Sequence, residues 1–167
     1  MTSFVVANGN DETIISARST MPGLIALMGR QFILRDILQM SNGQIQNILI
    51  IPNANRKTFL GVTLETSAGI DLELYEGTQA TGGAVLEQLN PNRENILTSG
   101  IAVTTDPAIT DDGDLLVLTS TLDKKDIFSG DTTFIMDRTK NYLIRVTSQD
   151  NVNNVEIRLA FNIYDEL

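Results

Sequence analysis

From Val155 to Ile163 the chain alternates strictly: Val155, Ile157, Leu159, Phe161 and Ile163 are apolar, while Glu156, Arg158, Ala160 and Asn162 between them are polar or small. A period of two puts the apolar set on one face of an extended strand; wound into a helix, the same residues would be scattered around the axis. The pattern recurs in Ile70, Leu72 and Leu74 against Asp71, Glu73 and Tyr75, and in Tyr142, Ile144 and Val146 against Leu143, Arg145 and Thr147. Strands that are apolar on one face need a second layer to cover them.

Further β-rich runs lie at Ile45–Ile51, Thr58–Thr66, Ser99–Thr105, Leu115–Thr121 and Thr132–Met136, each bounded by Gly, Pro, Asn or Asp. Strands recurring every ten to fifteen residues or so, with turn chemistry between them, predict an all-β fold: an antiparallel two-sheet β-sandwich with jelly-roll-like connectivity. Asn8-Gly9 is a hairpin signal between Phe4-Val5-Val6 and Ile14-Ile15. Residues 1–20 therefore read as a short N-terminal arm or hairpin and 21–167 as the sandwich domain. Within Met21–Met40, Phe32–Leu38 reads as a strand, and Pro22–Met28 admits a short helix with Pro22 in its first turn and Gly29 just past its end. Phe59, Phe161 and Tyr142 are expected in the core.

The chain has 167 residues, a size suited to one domain. It contains no Cys and no His, which removes thiolate nucleophiles, disulfides, imidazole bases and the usual zinc sites. With 21 acidic and 12 basic residues its net charge is −9, so its surface repels phosphate backbones and anionic lipid; neither nucleic acid nor membrane is an expected partner. No apolar run reaches a membrane-spanning length, and the chain is expected to be made and used without crossing a membrane.

Four groups of residues offer chemistry, and each has a plainer reading. Asp111, Asp112 and Asp114 around Gly113 could present oxygens to Ca²⁺, but Asp and Gly are what a tight turn between Ile109 and Leu115 requires, and the spaced ligands of an EF-hand loop are missing. Gly82-Gly83 reads as a turn, since no P-loop Lys-Ser/Thr follows. Asp71, Glu73, Glu76 and Glu87 could include a carboxylate pair for glycoside hydrolysis, against the reading of Asp71 and Glu73 as the solvated face of a strand. Tyr75 and Tyr164, on the outward phase of their strands, are the candidate stacking platforms for a sugar. No catalytic, metal or cofactor residue is assigned and no cofactor is expected.

Several segments resemble a family of tailed-bacteriophage head decoration, or cement, and minor head structural proteins. The stretches that carry the resemblance are Gly29-Arg30-Gln31-Phe32, Ser41-Asn42-Gly43, Ile50-Ile51-Pro52, Leu72-Glu73-Leu74-Tyr75-Glu76-Gly77-Thr78, Gly82-Gly83, and Leu89-Asn90-Pro91-Asn92-Arg93-Glu94-Asn95. The final two are Lys140-Asn141-Tyr142-Leu143-Ile144-Arg145-Val146-Thr147 and Phe161-Asn162-Ile163-Tyr164-Asp165-Glu166. One departure is Lys57-Thr58-Phe59, where the family pattern has a His after the Ile-Pro segment.

The resemblance implies a non-enzymatic virion protein, synthesised in the bacterial host cytoplasm. It would bind the major capsid protein on the capsid exterior and associate with itself as a homo-oligomer, a trimer. The alternative expectation is a tail, baseplate or head-fibre component that binds a host surface or carbohydrate. The terminal apolar residues Phe4, Val5 and Val6 are the expected capsid or oligomer contact, because an unpaired strand is a site for another chain.

Overall fold

The computed structural model describes residues 4–8, 11–15, 28–94, 97–121, 127–129, 134–151 and 153–164. In chain order its strands are β1 (Phe4–Asn8), β2 (Asp11–Ile15), β3 (Gln31–Met40), β4 (Ile45–Ile51), β5 (Lys57–Thr66), β6 (Ile70–Glu76), β7 (Gln79–Thr81), β8 (Ala84–Val85), β9 (Ala102–Thr105), β10 (Ala108–Asp111), β11 (Asp114–Thr121), β12 (Ile127–Ser129), β13 (Phe134–Met136), β14 (Tyr142–Ser148) and β15 (Asn153–Tyr164). There is no helix among the described residues. The helix admitted at Pro22–Met28 lies outside them except for Met28, which begins a turn.

Two large antiparallel sheets form the body. One has the order β11-β6-β14-β4-β9-β8; the other has the order β12-β5-β15-β3, with β13 also pairing β5 beside β12. The chain crosses between these sheets in going from β3 to β4, β4 to β5, β5 to β6, β11 to β12, β13 to β14 and β14 to β15. Strictly alternating β15 lies between β3 and β5, paired along nearly its whole length on both sides.

The alternation translates directly into packing. Val155, Ile157, Leu159, Phe161 and Ile163 are buried with Leu34, Leu60 and Leu64 from one sheet and Ile48, Ile50, Leu72, Ile144 and Val146 from the other. Each such side chain contributes roughly 1.5–3 kcal/mol on burial, which is what holds the two layers face to face.

Phe59 corrects the expected core. It is half-buried on the outer face, because Thr58, opposite buried Met136 and Ile163, fixes the inward phase of β5 at Thr58, Leu60, Val62, Leu64 and Thr66. Size and hydrophobicity suggested Phe59; parity along the strand decided against it. The expected run Ser99–Thr105 becomes strand only at Ala102, since the Ser99 hydroxyl accepts from Ile101 N–H in a local turn.

One end of the sandwich is closed by Asn153, which is 1% exposed. Its Oδ1 accepts from Ala68 N–H (3.1 Å) and the Thr66 hydroxyl (2.8 Å), and its Nδ2 donates to the carbonyls of Gly69 (3.2 Å) and Ala68 (3.4 Å). The β5–β6 turn is thereby tied to the start of β15.

A second feature lies on the outside of the six-stranded sheet. The ribbon β6–β11 continues as β7–β10 after a break at Gly77-Thr78 on one strand and Asp112-Gly113 on the other. Gly113 has φ +85° and stands so close to the Glu76 carbonyl oxygen that a Cβ would overlap it, so this corner requires glycine. Beyond the corner, Pro107, Ile109 and Asp112 stand beside Asn47 and Arg145 of the sheet. Leu49 and Leu143, opposite one another in register and on the outward phase of their strands, are 2% and 0% exposed, so the outer face is covered at these two positions.

Candidate interaction surfaces

Under that ribbon lies a cluster centred on Arg145. The central strand β14 turns this residue outward, and its guanidinium donates to both carboxylate oxygens of Asp112 (3.0 and 2.5 Å) and to Asn47 Oδ1 (3.1 Å). The same group stands 5.2 Å from the centre of the Tyr75 ring, with Glu73 at 3.9 Å. A forked, half-buried pair of this kind is a directional clamp, stronger than an exposed Lys–carboxylate contact. The hydrogen bonds from Arg145 hold the Asp112 carboxyl below the usual aspartate range, and burial, followed by hydrogen bonding to Glu73, raises the Tyr75 phenol.

Further along the same strands, Glu76 receives the Lys140 ammonium (2.8 Å) and the Tyr142 hydroxyl (2.7 Å), which itself accepts from Asp137 N–H (2.6 Å). Lys140 first and Tyr142 second lower the Glu76 carboxyl; burial, then the hydrogen bond to Glu76, raises the Tyr142 phenol.

These contacts redistribute the residues picked out from the sequence. Asp111 and Asp112 do not act together. Asp111 Oδ1 accepts from Gly113 N–H inside the expected turn, whereas Asp112 is bound by Arg145. Among the described residues no group of three or more acidic side chains is placed to hold a metal ion. Asp71, Glu73 and Glu76 lie along β6, while Glu87 belongs to a groove against the other sheet. Tyr75 carries the Arg145 guanidinium over its ring, so that face is occupied and unavailable for a sugar; the side chain of Tyr164 lies outside the described residues. Gly82-Gly83 forms a turn between β7 and β8, Gly83 lying too close to the Thr105 carbonyl for a Cβ.

Two of the strand edges among the described residues bear on association. The first is β11, an edge strand of the six-stranded sheet, on which Leu115, Leu116 and Leu118 are 50%, 43% and 60% exposed. A bulge between Leu115 and Val117 restarts the pairing. Leu115 lies opposite Tyr75 and Leu118 opposite Glu73, both on the outward phase of β6, while Val117 turns in to pack against the core. An eight-residue edge strand with exposed leucines is what soluble proteins normally shorten, charge or cover.

The second is the hairpin β1–β2, in which Phe4 pairs Ile15, Val5 pairs Ile14 and Val6 pairs Thr13. The expected hairpin is present, and its two strands form a sheet of their own. The Gly9-Asn10 turn and the side chains of Phe4, Val5 and Val6 lie outside the described residues.

Comparison with models of known protein families finds no match, and comparison with curated proteins finds none either.

Proposed function

We propose that the chain is a structural protein of a tailed-bacteriophage virion: a homotrimeric decoration protein that binds the major capsid protein on the capsid exterior and stabilises its lattice. The observation that carries this reading is the open leucine-bearing edge β11 on a body otherwise tied together by long antiparallel pairing. Such a surface favours association, and a rigid sandwich is a suitable bridge between neighbouring lattice subunits. Many modest contacts repeated over a shell sum to firm attachment through effective concentration. The negative charge suits the outside of a particle, where it opposes aggregation and does not attract packaged DNA. The repeated crossing between sheets supports a jelly-roll-like connectivity for the sandwich.

Glu76 and Asp112, the carboxylates most engaged by neighbours, are held ionised by cations. A general acid at neutral pH needs the opposite shift, and this also favours a binding role over hydrolysis. The occupied Tyr75 ring weighs against the carbohydrate-binding alternative.

The test is co-sedimentation of purified protein with expanded capsids and unexpanded procapsids of the phage that encodes it, with imaging of bound density. Saturable density at repeating lattice positions is the expected result; density at the tail alone, or none, overturns the proposal. Leu115→Lys with Leu118→Lys is expected to lower the oligomeric mass or the capsid binding without unfolding the chain, since both side chains are solvent-exposed in the single chain.

A further inference from the structure

Each of the two large sheets leaves two edges, and all but one of these are blunted. On β3, Ile33 exchanges both backbone hydrogen bonds with Leu89 (2.8 and 2.7 Å), on the side away from β15. Ile37, four residues on in an unbroken register, points its backbone the same way, and its N–H is taken by Asp36 Oδ1 (2.9 Å). Asp36 itself stands on the phase of buried Phe32, Leu34 and Met40, an inward carboxylate of the kind that keeps an edge from accepting another strand. The opposite edge of that sheet consists of β12 and β13, three residues each, and β8, at one end of the six-stranded sheet, has two.

The exception is β11, with eight residues. Gly77 N–H donates to Asn141 O beside β14, so the odd-numbered residues of β6 turn their backbone groups toward β14 and the even-numbered ones toward β11. Val117 and Thr119, opposite Leu74 and Leu72, therefore spend their backbone groups inside the sheet, whereas Leu118, opposite Glu73, turns its N–H and C=O to the open side. Neither group has a partner there among the described residues. From Leu115 to Thr121 the strand carries no charged residue, in a chain of net charge −9, and Glu73 behind it stands 3.9 Å from the Arg145 guanidinium. An edge of this kind offers nothing to select a charged strand, and it lets two copies of an acidic chain meet without setting like charges opposite one another.

We infer that β11 pairs antiparallel with β11 of a second copy about a two-fold axis at Leu118, so that two six-stranded sheets become one continuous sheet. In this register Leu118 exchanges both backbone hydrogen bonds with its own copy, and the two exposed leucine side chains cover each other. A two-fold contact is self-complementary and cannot close a threefold ring. The inference rests on the reading of the protein as self-associating and goes beyond the homotrimer, since it joins a protomer of one trimer to a protomer of another.

Because the chain has no cysteine, Leu118→Cys reports the contact directly. Mild oxidation of the full-length variant is expected to give a covalent dimer through this one position, the Cα atoms of a hydrogen-bonded antiparallel pair being within disulfide reach. Ile37→Cys is the control, 61% exposed against 60% for Leu118 but on the blunted edge, and is expected to stay reduced under the same conditions. No Leu118→Cys dimer, or equal cross-linking of the two variants, overturns the inference. Independently, Leu118→Pro removes an N–H that faces outward and no bond within the sheet, so the fold should survive while the dissociation concentration of the pair, read by sedimentation, rises roughly tenfold or more. A folded Leu118→Pro with unchanged association, or one that fails to fold, also overturns it. These measurements use no capsids: a parent that sediments as a trimer and nothing larger removes the β11 contact and leaves the homotrimer, whereas pairing through Leu118 in a protein that leaves capsids bare removes the decoration reading and keeps the contact.

Discussion

Replacing Asn153 by alanine isolates the polar node that closes the sandwich. The side chain makes six hydrogen-bond contacts, three accepted and three donated, shared among two acceptor lone pairs and two N–H groups, at a site 1% exposed. At about 1 kcal/mol net for each of the two lone pairs and two N–H groups so engaged, the loss approaches 4 kcal/mol. Part is recovered, because Ala68 N–H keeps the Thr66 hydroxyl at 3.2 Å and Gly69 O keeps Gln149 N–H at 2.9 Å. The expected destabilisation of Asn153→Ala is therefore about 2–3 kcal/mol, read as a lower urea midpoint with an unchanged slope. Asn153→Asp is expected to be worse at neutral pH, since a buried carboxylate would face the carbonyls of Ala68 and Gly69 with no proton to give. Burial raises the pKa of such a group in the folded state, so its penalty grows as pH rises through that pKa and is relieved as pH falls. A loss below about 1 kcal/mol for Asn153→Ala, or the same pH profile for the two variants, would refute the hydrogen-bond reasoning.

Other expectations follow from the outer face. Asp112 is held below its ordinary range, so its pairing with Arg145 stabilises the fold at neutral pH and is lost as pH falls through the lowered value; Asp112→Asn should lose stability at pH 7 and be flatter in acid denaturation. Tyr142→Phe removes the hydroxyl that joins Glu76 to Asp137 N–H and should reduce stability by about 1–2 kcal/mol in urea. Gly113→Ala should shift the thermal midpoint down by several degrees, combining a left-handed φ with overlap on the Glu76 carbonyl; an unchanged midpoint would mean that the corner relaxes freely.

The legibility of these features in the sequence follows their physics. β6, β14 and β15 announce themselves because each has one buried face, so parity and hydrophobicity coincide. β7, β8, β10 and β12 have two to four residues each, too few to show a period, and exist through pairing with distant segments. The alternation puts Leu143 on the outward phase, yet it is buried, a cover that the local pattern does not announce. The turn at Asp111–Asp114 was readable from its Asp-Gly chemistry; the engagement of Asp112 by Arg145, 33 residues away, was not. A lone arginine on the polar phase of the clearest central strand was the available signal, and it looked like ordinary solvated surface. The groove that holds Glu87 was hidden for a similar reason, since Arg93 and Arg158 meet only after β15 is threaded beside β3.

The position of β15 also bears on how the molecule comes into being. The last strand described is the middle of its sheet, flanked by β3 on one side and β5 on the other. During synthesis both neighbours leave the ribosome long before the strand that joins them, and each must wait with an exposed apolar face and an unpaired edge. Folding is consequently dominated by distant pairings, of the slow, aggregation-exposed kind. A nascent chain arrested before Asn153 would be a collection of sticky ribbons rather than a smaller version of the protein.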